Sequence, residues 1–173
     1  MKLAQSYHQA VFGESQSVSY VKDVPFLKIM PEVVGGVISF SDIPNITEKS
    51  YTHFGLIGHL WMPNASEKLF LRTGVLLSRL DIEGVSDTYV KIPIQLEYIY
   101  PGGLIQPRLA YGPNFYLPDG QSTVSLNLGA NIRMYNNLFL STSTDIEFNP
   151  NLIVIPKRMI SYSLMAGVFW RIP

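Results

Sequence analysis

Thr123-Val124-Ser125-Leu126-Asn127-Leu128-Gly129-Ala130-Asn131-Ile132-Arg133-Met134-Tyr135 decides the fold. Val124, Leu126, Leu128, Ala130, Ile132 and Met134 occupy every second position. Ser125, Asn127, Gly129, Asn131 and Arg133 fill the positions between. Successive side chains of a strand point to opposite faces, so this spacing makes one apolar face and one polar face. A helix would mix the two sets.

The same test extends in both directions. Val90, Ile92, Ile94, Leu96, Tyr98 and Tyr100 oppose Lys91, Pro93, Gln95 and Glu97. Ile105, Pro107, Leu109, Tyr111, Pro113 and Phe115 oppose Gln106, Arg108, Ala110, Gly112 and Asn114. Leu138, Leu140, Ile146 and Phe148 oppose Ser141, Ser143, Asp145 and Glu147. Tyr162, Leu164, Ala166, Val168 and Trp170 oppose Ser163, Gly167 and Arg171. Three earlier segments, 26–40, 52–62 and 69–77, alternate less cleanly. There Lys28 and Glu32, then His53, Gly55 and His59, then Arg72, Gly74 and Ser78 take the polar side. The total is eight strands of roughly 10–15 residues, against about 5–6 for soluble strands and about 9–11 for membrane-spanning ones.

Short connections are expected at Pro63–Lys68, Pro101–Gly103 and Asn136-Asn137, and longer ones at Ser41–Ser50, Asp81–Thr88, Leu117–Ser122 and Asn149–Met159. Long and short alternate as they do in outer-membrane barrels. Gly55, Gly74, Gly112, Gly129 and Gly167 fall within strands on the polar face, where they read as packing positions.

Composition says which face is inside. Of 173 residues only 15% are charged, 13 basic and 13 acidic, while 47% are apolar. An average soluble protein carries about 25% charge. A balance of charge argues against a nucleic-acid partner. Without cysteine there is no disulfide scaffold, thiolate metal site or cysteine nucleophile. No apolar run approaches the roughly 18 residues of a spanning helix. The first residues, Met1 to His8, contain no apolar core of a signal peptide. A soluble barrel of lipocalin type would expose a face rich in Lys and Glu. Here the polar face is Ser, Asn, Gly and Gln with isolated charges of both signs. It reads as an enclosed lumen network of Lys28, Glu32, Arg72, Lys91, Glu97, Arg108, Arg133, Asp145, Glu147 and Arg171. Tyr89, Tyr98, Tyr100, Phe115, Phe148, Tyr162 and Trp170 read as an aromatic girdle at the membrane interfaces.

Tyr89-Val90-Lys91-Ile92-Pro93-Ile94-Gln95-Leu96-Glu97-Tyr98 and Gln106-Pro107-Arg108-Leu109-Ala110-Tyr111-Gly112-Pro113 resemble the central region of the outer membrane protein beta-barrel family of Bacteroidetes, which includes PorT-like proteins. Leu71–Ser78 and Ser163–Arg171 are similar to it as well, so the resemblance covers about residues 26–173. It implies a bacterial outer-membrane location, contact with the barrel-assembly machinery, and a role as an accessory to protein secretion or motility. No catalytic residue is carried across. The family's terminal aromatic is displaced, because Trp170 is followed by Arg171-Ile172-Pro173.

Chemistry on this chain is sparse. His53 and His59 share a face but stand about 20 Å apart by strand rise, too far for one metal. Satisfied interior or surface histidines are the expectation. His53 with Ser86 and Asp87 is the best candidate for a nucleophilic triad, and ordinary loop chemistry is the stronger reading. Asn45-Ile46-Thr47 and Asn64-Ala65-Ser66 match the glycosylation pattern by chance.

The expectation is an all-β, eight-stranded antiparallel up-and-down transmembrane β-barrel over 26–173. Residues 1–25 form a periplasmic extension or the remnant of a longer barrel. The lumen is plugged by polar side chains, four loops face outside, and no enzyme activity or cofactor is expected. Expected partners are outer-membrane lipid and an extracellular or periplasmic protein, with the apolar stretch 151–156 either extending strands seven and eight above the membrane or forming a binding edge. A soluble ligand-binding barrel is the alternative.

Overall fold

The computed structural model describes residues 26–41, 50–62, 66–82, 85–117, 120–148 and 160–171. The segments 1–25 and 151–156, for which an extension and a binding edge are expected, lie outside the described residues. Eight antiparallel strands run in chain order: β1 Lys28–Ser41, β2 Ser50–Trp61, β3 Leu69–Ile82, β4 Val85–Ile99, β5 Ile105–Leu117, β6 Ser122–Tyr135, β7 Leu138–Phe148 and β8 Ile160–Trp170. Each strand pairs with the next, and β1 pairs with β8, so the sheet closes into an up-and-down barrel. Closure gives every strand two paired neighbours and leaves no open edge. No described helix is long and apolar enough to cross a membrane, which says nothing about crossing by strands.

One connection departs from expectation. Asp81–Thr88 is not a loop: Ile82 pairs with Val85, Asp81 with Ser86 and Arg79 with Thr88. Only residues 83 and 84 separate the two strands. Backbone pairing carries this hairpin, and its polar sequence hides it from a test that depends on apolar alternation. Long and short connections therefore do not alternate strictly. The three connections between β2 and β3, β4 and β5, and β6 and β7 share one end of the barrel with the start of β1 and the end of β8. We call it the short-turn mouth.

Burial follows residue parity. Arg72 is 0% exposed and Lys91 1%, while Leu56 and Leu164 are each 62% exposed. A water-soluble domain has the opposite arrangement.

Two inward glycines let the strands approach. A Cβ on Gly55 would lie 2.0 Å from the Val75 carbonyl oxygen, and one on Gly74 would lie 2.1 Å from that of Leu56. The β2 and β3 backbones meet on the inside of the curve at a distance that excludes any side chain.

Candidate functional site

The inward side chains form tiers that follow β1 from the short-turn mouth through Met30, Glu32, Val34 and Ile38. The first tier is apolar. Met30, Phe70, Ile99, Phe139 and Phe169 pack together with Trp61 against them. Alternation gives no sign of this stopper, because its members stand on the face that the pattern assigns to polar residues. A second apolar layer, Val34, Ile57, Leu76 and Met165, lies deeper.

Between them sits the first charge cluster. Arg108 donates both terminal nitrogens to Glu32, at 3.1 Å each. Arg108 is also 3.8 Å from Glu97. The His59 ring bridges the two acids, with Nε2 2.8 Å from Glu32 Oε2 and Nδ1 hydrogen-bonded to Glu97. Its ring meets Phe169 edge-on at 4.9 Å between centroids. Four strands thus place one cation, one imidazole and two carboxylates in contact, each buried.

A second cluster lies toward the other end. Lys91 Nζ donates to Asp145 Oδ2 at 2.7 Å and also to Glu147. Glu147 accepts from the Tyr116 hydroxyl and, at 2.9 Å, from Thr123. Arg72 donates to Gln95, which reaches Asn114 and Ser125. His53 Nδ1 lies 3.4 Å from Ser78 Oγ, so its nearby hydroxyl is Ser78. Along β6, β7 and β8 the wall is lined by the buried small polar groups Asn127, Asn131, Ser141, Ser143 and Ser163. Interior water commonly meets groups of this kind. Among the described residues no three of His, Asp and Glu are grouped to hold a metal ion.

Seven of the ten expected network residues are buried in the lumen: Glu32, Arg72, Lys91, Glu97, Arg108, Asp145 and Glu147. The other three are corrected. Lys28, Arg133 and Arg171 have inward parity but stand at the short-turn mouth, where the lumen opens. Lys28 lies 5.9 Å from the Trp61 ring, and Arg133 and Arg171 both lie over Phe139. Aromatic faces, not carboxylates, hold them. His59, Gln95, Tyr116 and Thr123 belong to the clusters although they are absent from the expected network.

The aromatic set is corrected at one position. Tyr98, Tyr100, Phe115, Phe148, Tyr162 and Trp170 point outward. Tyr89 shares parity with Lys91, pairs with the inward Ser78 and so faces the lumen side. The other six divide by end. Tyr98, Tyr100 and Trp170 lie near the short-turn mouth, and Phe115, Phe148 and Tyr162 near the opposite end.

A closed eight-stranded barrel with apolar residues outward and charges inward is the architecture of small outer-membrane barrels. Solved structures bear this out at the level of fold. Neisserial surface protein A (NspA) is similar with a TM-score of 0.59 and 12% identity, over 84% of this chain and 99% of that one. The de novo designed barrel TMB2.3 gives 0.54 and 13%, over 88% and 98%. The N-terminal β-barrel domain of Pseudomonas aeruginosa OprF gives 0.51 and 11%, over 84% and 98%. No family model and no curated protein matches the chain.

Proposed function

We propose that the protein is a small bacterial outer-membrane barrel of structural or binding type, with a plugged lumen and no enzymatic role. The carrying observation is the inverted burial. Large apolar side chains cover the outside, while paired charges fill the inside. In water such an exterior would aggregate, whereas in hydrocarbon it is at home. The six outward aromatics fit the two interfaces. The barrel-assembly machinery would insert it, and an external or periplasmic protein would be its partner. The finer Bacteroidetes assignment, with a secretion role, is supported by the resemblance of Tyr89–Tyr98 and Gln106–Pro113. Loss of secretion on deletion is its test.

The membrane reading is tested with the two tryptophans. Trp170 is outward and 58% exposed, while Trp61 is inward and packs on the stopper. A Trp61→Phe variant in vesicles of brominated lipid is expected to lose most of its fluorescence. A Trp170→Phe variant is expected to keep more of its own. Equal, weak quenching of both would place the exterior in water.

The plugged lumen is tested electrically. An eight-stranded barrel has an interior just wide enough for its side chains. Both charge clusters and two apolar layers occupy it. Reconstituted in a planar bilayer, the protein is expected to give no stable conductance above the lipid background. Steady open-channel steps would overturn the plug.

A further inference from the structure

At the short-turn mouth, two arginines are held in place with no ion-pair partner among the described residues. Arg133 stands near the end of β6, and Arg171 directly follows β8. The Arg133 amide donates to the Leu104 carbonyl and the Arg171 amide to the Asn137 carbonyl, both at 2.8 Å. Their guanidinium carbons lie 5.6 and 5.2 Å from the centre of the same Phe139 ring. A cation held over a ring by the ring's quadrupole keeps its N–H groups as donors. Arg171 uses one of its N–H groups on Gln106 Oε1, at 3.2 Å. Among the described residues, no carboxylate forms an ion pair with Arg133, Arg171 or Lys28. Burial, and then the charge of Arg133, hold the Arg171 guanidinium below its ordinary range.

Beside Arg171 opens a recess of about 130 Å³, walled by Met30, Trp61, Phe70, Ile99 and Pro101, with Glu67 at its rim. A dry cavity of roughly 150 Å³ accepts a benzene ring, so this space suits one apolar side chain.

We propose that the short-turn mouth binds an acidic peptide segment, with a carboxylate on Arg133 and Arg171 and a neighbouring apolar side chain in the recess. A free inorganic anion would use the arginines and leave the apolar walls idle. A lipid headgroup belongs outside the barrel wall beside Tyr100 and Trp170, whereas the arginines have the inward parity of the lumen mouth. Glu67 repels a second carboxylate and so orients the segment.

The test uses the full chain folded in zwitterionic detergent, titrated with acetyl-Leu-Glu-Leu-amide and with its glutamine counterpart. The glutamate peptide is expected to bind at least about tenfold more tightly, as a charge-assisted forked contact allows. Arg133→Gln with Arg171→Gln should erase that preference, while Arg79→Gln at the opposite end should keep it. Heat-modifiable migration on a gel confirms that each variant is folded. If the double variant fails to fold, the unmodified chain still decides. Its preference should shrink as ionic strength rises from about 0.05 to about 0.5 M. Equal binding of the two peptides, or a salt-independent preference, overturns the proposal. Full displacement by an equal concentration of inorganic phosphate also overturns it, leaving an ion site. Tighter binding of phosphatidylglycerol than of the peptide overturns it in favour of lipid. None of these failures touches the lipid-facing exterior, which the brominated-lipid experiment reads separately.

Discussion

Replacing Lys91 by methionine is expected to destabilise the barrel by about 3–5 kcal/mol, the usual loss when one partner of a buried ion pair is removed. Lys91 is the ammonium shared by Asp145 and Glu147, and all three are buried. Without it two carboxylates stand side by side on the inner face of β7, and among the described residues only Tyr116 and Thr123 donate to one of them. Many domains have a total stability of about 5–15 kcal/mol, so the loss is a large fraction. Urea titration in detergent, read by heat-modifiable migration, measures it. Adding Asp145→Asn and Glu147→Gln removes the orphaned charges, and the triple variant is expected to recover much of the loss. If the single variant is as stable as the unmodified chain, the cluster is not an energetic element of the lumen.

Gly55→Val is expected to prevent folding, and Gly74→Ala to weaken it severely. The added carbon would meet a neighbouring carbonyl oxygen at 2.0 or 2.1 Å, and that oxygen is backbone. Overpacking typically costs about 1–3 kcal/mol where side chains can yield. Here the β2–β3 ladder itself must part, so the cost lies at or beyond the upper end. Gly58→Ala is the matched control. Its new carbon would find nothing nearer than the Thr73 oxygen at 3.8 Å, and its effect should stay within about 0.5 kcal/mol. Equal stability of the Gly74 and Gly58 variants would remove the close approach as the reason for glycine.

The barrel was legible because alternation is a local property. Val124 to Met134 declares two faces without reference to any other strand, and composition says which face is wet. The same rule, applied strictly, assigns Tyr89 to the side of Lys91; its girdle role followed from residue type and ignored parity. Partnership was not legible. His59 meets Glu32 and Glu97 only because β2 sits between β1 and β3 with a particular stagger, and β4 brings Glu97 across the lumen. Stagger is a property of the closed ring. The apolar stopper escaped for another reason. Phe139 and Phe169 are inward residues that look outward in type, since apolar side chains fill this end of the lumen. Arg133 and Arg171 read as interior charges because parity fixes a face and not a depth.

The alternation that clothes the folded barrel also disguises the unfolded chain. Machinery that recognises spanning helices responds to some 20 consecutive apolar residues. In this chain every apolar side chain from Val124 to Ile132 is followed by a polar or small one. Its lipid-facing surface does not exist until the strands pair. A chain built this way carries no spanning-helix signal in such a strand and acquires its apolar exterior only on folding.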